Sequence, residues 1–417
     1  MSKPARPPLL NLDDALAQLL AFAQPLGQTE RVPTMQADGR VLAQELVSEL
    51  HVPAQDNSAM DGYAVRCADV TAPGAIWPVS QRIAAGTEGV ALLPCTVARI
   101  FTGAPVPLGA DAVVMQEDTT PVAAPDGSTA APQIHLQTAP RPGQNIRRAG
   151  EDVSRGAMVL ARGSRLGPAH LGLAASIGIA ELSVVRRPRV ALLSTGDELV
   201  MPGSCAPHDM PPGAIYNSNR FFLNALLRRM GAEVTDLGIV PDKLDATLAA
   251  LEAAAATHDV ILTSGGVSVG EEDHIKPAVQ SLGMLNLWQI AIKPGKPFAY
   301  GRIGAAHFMG LPGNPVSSFV TFLLLVRPFL LALQGQTQTA VVATLARADF
   351  AWPEPDRRRE FLRVRRNAAG GLDLFPNQSS GVLTSAVWGD GLVDNPSGQT
   401  IARGDTVQFL SFAELLS

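Results

Sequence analysis

The sequence predicts a multidomain α/β protein, and three observations lead to that fold class. Apolar runs of strand length alternate with helical patterns over residues 188–335, which is typical of a doubly wound parallel sheet. Short apolar runs separated by glycine and proline over residues 51–141 predict an inserted β domain. Residues 336–417 lack helical periodicity but contain alternating apolar runs, so we expect a C-terminal β-barrel domain.

The segments that flank the inserted domain, residues 1–50 and 142–187, are expected to pack together as one discontinuous linking domain. Helical spacing predicts a helix within residues 9–24 and a second over Ala37–Glu49. A short helix rich in alanine and glycine is predicted over Pro168–Gly178.

Within the α/β domain the pattern predicts each element in turn. The continuous apolar run Arg189–Leu193 is typical of a buried parallel strand. The helix from about Asn219 to Met230 is expected to end at Gly231, in the usual C-cap position. The remaining predictions, in chain order, are strand Glu233–Val240, helix Leu244–Thr257, strand Asp259–Thr263, a helix, strands Leu287–Ile292, Pro297–Tyr300 and His307–Leu311, and a long helix after Asn314.

Composition excludes several classes of protein. With 46% hydrophobic and 17% charged residues the chain is expected to be compact, and its net charge of −5 offers no general attraction to nucleic acid. Its three cysteines are far apart, which fits a reducing compartment. The longest apolar stretch, Phe319–Leu333, is too short to span a bilayer and is expected to be a buried helix that Pro328 kinks or ends. We therefore predict a cytoplasmic protein that binds neither nucleic acid nor membrane.

Polar or glycine-rich sequence follows each predicted strand of the α/β domain. Ligands bind open α/β sheets outside the carboxyl ends of the strands, so these loops are expected to meet at one rim. Any one of them alone is most simply a turn between a strand and a helix. The five loops are Ser194–Glu198, Pro241–Lys243, Thr263–Gly270, Lys293–Pro297 and Leu311–Pro315.

The loop after the third strand has the most specific pattern. Its small residues let the backbone approach an anion, and its amides can surround a phosphate. It is neither a Walker loop nor a Gly-x-Gly-x-x-Gly motif. The residues expected to bind phosphate here are Ser264, Gly265, Gly266, Ser268 and Gly270.

Acidic residues beside such a loop would repel a phosphate unless a cation lay between them. Glu198, Asp242 and Asp273 come from three different strand ends and therefore predict a Mg²⁺ site. Lys293 and Lys296 suit direct contact with a phosphate or an oxyanion, and their alternative is a solvated turn.

A second group of polar residues lies in the inserted domain. The segment Asp56–Val65 carries two acids, an amide and a hydroxyl in a loop that opens into a strand. An ordinary turn explains Asp56–Ser58, but it does not explain Met60–Tyr63. The segment Arg99–Pro107, a strand that runs into a Thr-Gly turn, is the expected partner.

Together these motifs resemble the molybdopterin molybdenumtransferase family, which includes MoeA and the gephyrin E domain. The resemblance extends over essentially the whole chain, with the motifs in the same order. The motifs are Asp56–Ala64, Phe101–Pro107, Ser194–Leu199, Ser264–Gly270, Ile292–Pro297, Leu311–Pro315 and Pro376–Gly381.

The resemblance implies an elongated four-domain homodimer whose α/β domain is of the molybdopterin-binding type. The active site would form between that domain of one subunit and the inserted β domain of the other. The substrates would be adenylylated molybdopterin and molybdate. The enzyme would cleave the phosphoanhydride, release AMP and leave molybdenum on the dithiolene sulfurs, and other molybdenum-cofactor enzymes are possible partners.

The resemblance also implies roles for individual residues. Asp61, Thr102 and Asp152 match catalytic positions, and Asp61 would orient or deprotonate the attacking oxygen. A departure from the usual pattern follows Asp273, where His274 and Ile275 are less familiar. The remaining matches are Glu198, Asp242 and Asp273 for Mg²⁺ and pyrophosphate, Pro312 and Pro315 for the pterin pocket, and Ser379 or Ser380 for a contact from the C-terminal domain.

Three other functions compete with this interpretation. A molybdopterin adenylyltransferase has a similar fold, but it is usually a lone domain, without the segment Asp56–Ala64. A nucleotide pyrophosphatase on a related fold would need neither molybdate nor Asp61. A scaffold protein would not need the acidic residues that this chain retains.

Overall fold

The computed structural model describes residues 9–70, 72–123, 131–266 and 274–416. Three six-stranded sheets organise this part of the chain, one each in the inserted, α/β and C-terminal regions. The predicted division into 1–50 with 142–187, 51–141, 188–335 and 336–417 stays a prediction.

The region that links the sheets is built from short antiparallel pairs. Thr29–Pro33 pairs with Glu181–Val185, Leu46–Val47 pairs with Met158–Leu160, and the helix Pro168–Ser176 covers them.

The helix predicted over Ala37–Glu49 is wrong. The chain forms a single 3-10 turn, Thr34–Gln36, and then runs extended. Its apolar residues Leu42 and Leu46 are buried against Leu182 and other residues of the linking region, so tertiary packing outweighs the helical spacing.

The first helix, Leu12–Ala21, is capped by the Asn11 side chain, which accepts a hydrogen bond from the Asp13 N–H. Its buried face packs into the core of the α/β sheet, and the Phe22 ring that follows it stacks 4.8 Å from the ring of Tyr300. This helix therefore packs with the α/β core, although the predicted division placed it in the linking domain.

The inserted domain is a mixed sheet, mostly antiparallel. The strands at Gly62 and Val114 are packed closely. A Cβ atom at position 62 would lie 2.0 Å from the Val114 carbonyl oxygen, so a larger residue does not fit there. In sheet order the strands are Ala112–Met115, Gly62–Val65, Val97–Ile100, Ile76–Ile83, Gln133–Leu136 and Thr119–Val122; Gln116–Asp118 is a 3-10 turn, and Asn57–Ser58 pairs with Ile146–Arg147.

The α/β domain has a six-stranded sheet, of which four adjacent strands are parallel. In sheet order the strands are Glu233–Val240, Arg189–Thr195, Val260–Ser264, Ala306–Leu311, Pro297–Ile303 and Gly283–Gln289. The helices are Asn219–Arg229, Leu244–Thr257, Ile275–Leu282 and the segment Pro315–Leu333, with the short elements Leu199–Val200, Pro207–Asp209 and Ile215–Tyr216 between the first strand and the first helix.

The doubly wound α/β architecture is confirmed, but the sheet is not parallel throughout. Its last two strands, Pro297–Ile303 and Gly283–Gln289, run antiparallel to their neighbours. The two residues Gly304 and Ala305 join Pro297–Ile303 to Ala306–Leu311, and so short a connection permits only a hairpin.

The segment Pro315–Leu333 is long and apolar enough to cross a membrane by length and composition, but 83% of its most apolar stretch is buried inside the protein. Pro328 does not end it. A π-helical turn, Phe322–Val326, comes immediately before the final α-helix Arg327–Leu333 and accommodates the proline.

The C-terminal sheet closes into a barrel, because Ala348 bridges Leu372 and joins its two edges. Residues Ile292–Lys293 of the α/β region add to this sheet in parallel with Arg359–Glu360. The strands are Thr344–Arg347, Arg359–Arg366, Leu372–Leu374, Gly391–Asn395 and Thr406–Ser411, with short helices Thr384–Trp388 and Phe412–Leu415.

Candidate active site

A cleft of about 760 Å³ lies at the carboxyl ends of the parallel strands. All five strand-end loops contribute to its wall, and Gly381 of the C-terminal domain contributes as well. The predicted site residues that line the cleft are Glu198, Asp242, Ser264, Gly265, Gly266, Pro312 and Pro315.

The first loop brings Glu198 back over its own turn. A Cβ atom at Gly196, where φ is +137°, would lie 2.5 Å from Glu198 Oε2. The positive φ favours glycine, and a side chain here would displace the Glu198 carboxylate from this position. Glu198 and Asp242 thereby supply two carboxylates to the wall of one cleft.

The glycine-rich loop begins with two residues in the left-handed region, Gly265 (φ +94°) and Gly266 (φ +70°). The Ser264 hydroxyl accepts a 2.8 Å hydrogen bond from Asn219 Nδ2, which also donates to the Gly313 carbonyl at 2.7 Å. Asn219 thus ties the start of the helix Asn219–Arg229 to two of the strand-end loops. The predicted residues Ser268, Gly270 and Asp273 lie outside the described residues.

Lys293 points toward the C-terminal domain. Its Nζ lies 3.1 Å from Glu360 Oε1 and 3.6 Å from Asp356 Oδ2. Neither Lys293 nor the half-buried Lys296 belongs to the described wall of the cleft. In this arrangement Lys293 holds two domains together, whereas the sequence predicted a ligand contact.

Ser379 and Ser380 connect the C-terminal domain to the edge of the cleft. The Ser380 carbonyl accepts a 2.9 Å hydrogen bond from the Val316 N–H at the start of a helix. The Ser379 carbonyl accepts one from the buried Arg363 side chain, at 3.3 Å. Both contacts use backbone oxygens and place Gly381 in the wall.

Asp61 and Thr102 form a pair at the end of the inserted sheet. The Asp61 carboxylate accepts hydrogen bonds from the Thr102 N–H and hydroxyl, both at 2.8 Å. The bond from the Thr102 N–H is the main cause that lowers the pKa of Asp61 below its usual range, and the bond from the hydroxyl adds to it. The exposed carboxylate is therefore ionised at neutral pH. Neither residue belongs to the described wall of the cleft.

Asp152 is exposed, near the junction of the inserted and linking regions, and its N–H donates to the Val52 carbonyl at 3.0 Å. Nearby, the Asp56 carboxylate accepts a bond from the Ala149 N–H and pairs with Arg148 at 2.5 Å. The Ala149 N–H is the main cause that lowers the pKa of Asp56.

Asn217 is a cleft residue that the sequence analysis missed. It is 2% exposed, and its Oδ1 accepts a hydrogen bond from the Arg220 N–H, which fixes the orientation of the amide. Its Nδ2 finds no acceptor among the described residues. A buried donor of this kind is costly unless an acceptor is supplied, and a ligand oxygen in the cleft would supply one. In the sequence Asn217 lies just before the helix Asn219–Arg229, where an asparagine is an ordinary helix cap, so nothing marked it as a cleft residue.

Comparison with known proteins supports the fold and identifies the family. Models of the MoeA N-terminal region (domains I and II), a probable molybdopterin-binding domain and the MoeA C-terminal region (domain IV) match residues 10–178, 191–332 and 345–412.

Two curated relatives cover most of the chain. The molybdopterin molybdenumtransferase of Haemophilus influenzae is 44% identical over 79% of each protein. Molybdopterin molybdenumtransferase 2 of Mycobacterium tuberculosis is 37% identical over 94% of this chain and 96% of its own length. The crystal structure of the molybdopterin biosynthesis MoeA protein of Pyrococcus horikoshii superposes with a TM-score of 0.83 over 97% of this chain and 100% of its own, at 28% identity. The chain belongs to the MoeA family of molybdopterin molybdenumtransferases.

Proposed function

We propose that this chain transfers molybdenum from molybdate to adenylylated molybdopterin and releases AMP. As a member of its family it is a transferase of molybdenum cofactor biosynthesis. The observation that carries the proposal is the cleft in which Glu198 and Asp242 face a left-handed glycine turn, since carboxylates and an open backbone together suit a pyrophosphate and its counter-ion.

Each part of the cleft has a role in this proposal. The turn at Gly265 and Gly266 leaves the backbone open to a phosphate, and the Asn217 Nδ2 donates to a ligand oxygen. Pro312 and Pro315 shape the wall that receives the pterin. We propose Lys296, Ser379 and Ser380 as further ligand contacts at the edge of the cleft.

Mg²⁺ is the proposed counter-ion, and it would neutralise the pyrophosphate charge when bound. Glu198 and Asp242 offer the hard oxygen ligands that this ion prefers, and Asp273, outside the described residues, is the third proposed ligand. Among the described residues no group of three or more Asp, Glu, His or Cys side chains could hold a metal ion, and we propose that Asp273, water and substrate oxygens complete the shell.

An Asp242→Asn variant is expected to need at least about tenfold more Mg²⁺ for half-maximal AMP release, because it loses a charged ligand. A Mg²⁺ titration of wild type and variant measures this, with Asp245→Asn in the following helix as the control. An unchanged midpoint would remove Asp242 from the metal site.

We further propose that the active site is completed by a second copy of the chain. Asp61 and Thr102 lie outside the cleft wall of their own chain, and a homodimer would bring this pair to the partner's cleft.

A doubly tagged hybrid of Asp61→Asn and Asp242→Asn subunits tests the shared site. Half of its active sites would then contain both substitutions and half would contain neither, so we expect about half of the wild-type activity. The assay uses a Mg²⁺ concentration that supports the wild type but lies well below the midpoint of Asp242→Asn, and each parent alone is then expected to be nearly inactive. An inactive hybrid would place both acids in a site made by one chain.

We also propose a cytoplasmic location, without membrane or nucleic-acid binding, and transfer of the product to other molybdenum-cofactor enzymes. The burial of Pro315–Leu333 supports the first part. Recovery of the protein with membranes after cell fractionation would contradict it.

The experiment that tests the main proposal is AMP release from adenylylated molybdopterin with Mg²⁺, with and without molybdate. Release that molybdate accelerates supports the transferase. AMP release at the same rate with and without molybdate indicates a pyrophosphatase. Absence of release indicates either a scaffold or an adenylyltransferase, and formation of adenylylated molybdopterin from ATP and molybdopterin identifies the latter.

A further inference from the structure

Arg99 is a half-buried residue at the centre of the inserted sheet, beside the Asp61–Thr102 pair. It lies on the strand that leads to Thr102, and its register partner is Tyr63 on the strand that follows Asp61. The arginine therefore lies between the two segments that supply the pair.

The guanidinium of Arg99 forms hydrogen bonds to both sides of the Asp61 turn. Nη1 donates to the Gly62 carbonyl at 3.2 Å, directly after Asp61. Nη2 donates to Gln116 Oε1 at 2.7 Å, and the Gln116 N–H in turn donates to the Asp61 carbonyl at 3.0 Å. Rotation of the turn would break two of these three bonds at once.

Aromatic rings hold the guanidinium. Its Cζ lies 5.1 Å from the centre of the Tyr63 ring and 4.7 Å from that of Phe101, the residue before Thr102. Arg82 also lies over Phe101, at 4.5 Å, but it is exposed and belongs to the neighbouring strand Ile76–Ile83. Of these two arginines, Arg99 is the one that contacts both rings and the Asp61 turn.

We propose that Arg99 is a positioning residue that locks the Asp61 turn so that the carboxylate stays on the Thr102 N–H and hydroxyl. Arg99 touches no reacting atom in this scheme. Its catalytic consequence rests on the proposed function, whereas its effect on Asp61 does not. The competing explanation is that Arg99 only stabilises the sheet.

The variants separate charge from geometry. The charged groups on the elements around Asp61 are Arg99, Arg82, and Glu117 with Asp118 on the short turn after strand Ala112–Met115. Arg99→Lys keeps the positive charge but loses the planar fork that reaches two acceptors, and Arg99→Gln loses both. Arg82→Gln is the matched control, because it removes a stacked arginine from the same ring.

Titration of the Asp61 carboxyl carbon by NMR, in protein labelled with ¹³C at aspartate, reads the geometry without substrate. The Asp61→Asn spectrum assigns the signal. We expect the pKa of Asp61 to rise in Arg99→Lys, which keeps the charge, because the Thr102 hydrogen bonds that lower it weaken. It should rise in Arg99→Gln also through loss of the Arg99 charge, and stay unchanged in Arg82→Gln. AMP release is expected to fall by up to about a hundredfold in kcat, with KM for adenylylated molybdopterin preserved.

An Asp61 pKa that is unchanged in Arg99→Lys overturns the proposal, even if it rises in Arg99→Gln, since loss of charge alone explains that rise. A raised pKa with undiminished AMP release leaves the positioning role standing and contradicts the catalytic role proposed for Asp61. If Arg99→Gln fails to fold, Arg99→Lys decides: a raised Asp61 pKa in folded protein supports positioning, and an unchanged one overturns it.

Discussion

The Asp61→Asn variant is expected to lose AMP release by at least about a hundredfold while it binds adenylylated molybdopterin as the wild type does. Asparagine has nearly the same shape, and its Oδ1 can still accept both bonds from Thr102. It cannot take up a proton or orient an oxygen by charge. The loss should therefore appear in kcat and leave KM nearly unchanged.

Single-turnover AMP release and equilibrium binding of the substrate together measure this effect. Glu88→Gln is the control, since Glu88 is an exposed acid on another turn of the same domain. Thr102→Val is a second comparison, because it removes the hydroxyl but keeps the N–H that lowers the pKa of Asp61. Turnover of Asp61→Asn at the wild-type rate would show that the carboxylate has no chemical role.

The largest expected effect on stability comes from Glu360→Ala. Glu360 is 1% exposed and accepts hydrogen bonds from Lys293 Nζ at 3.1 Å, Trp352 Nε1 at 2.8 Å and the Asp356 N–H at 3.1 Å. Its loss leaves these donors without their acceptor, and we expect the free energy of unfolding to fall by about 3 kcal/mol.

Urea unfolding measures this change. Glu354→Ala is the matched control, because Glu354 is an exposed acid of the same segment. Glu360→Gln should lie between the two, since its amide oxygen can still accept one or two of the bonds. A loss below about 1 kcal/mol for Glu360→Ala, the range of surface ion pairs, would mean that the three contacts are dispensable.

Local pattern was sufficient for part of the fold. The strand Glu233–Val240 and the helix Leu244–Thr257 have the bounds that the sequence predicts, and the buried residues of the helix, Thr247, Leu251 and Ala254, follow helical spacing. The segment Ala37–Glu49 has helical spacing too, but its leucines pack in separate extended pairings with residues far along the chain. The spacing of apolar residues along a segment cannot reveal pairing with residues so distant in the sequence.

The candidate site divides in the same way. The loops after the strands could be predicted because parallel strands present their carboxyl ends on one side. The partner of Lys293 could not, since Glu360 lies in another domain. Asn217 and Arg99 were missed as functional residues for a similar reason. The amide of Asn217 without an acceptor and the guanidinium of Arg99 between two rings are visible only in the folded structure.

The parallel pairing of Ile292–Lys293 with Arg359–Glu360 joins a segment of the α/β domain to the barrel by backbone hydrogen bonds. Because Gly381 of the barrel also belongs to the cleft wall, a ligand that contacts it favours the docked barrel, and the docked barrel favours the ligand by the same factor. Affinity in the cleft and attachment of the C-terminal domain are therefore two measures of one coupled equilibrium.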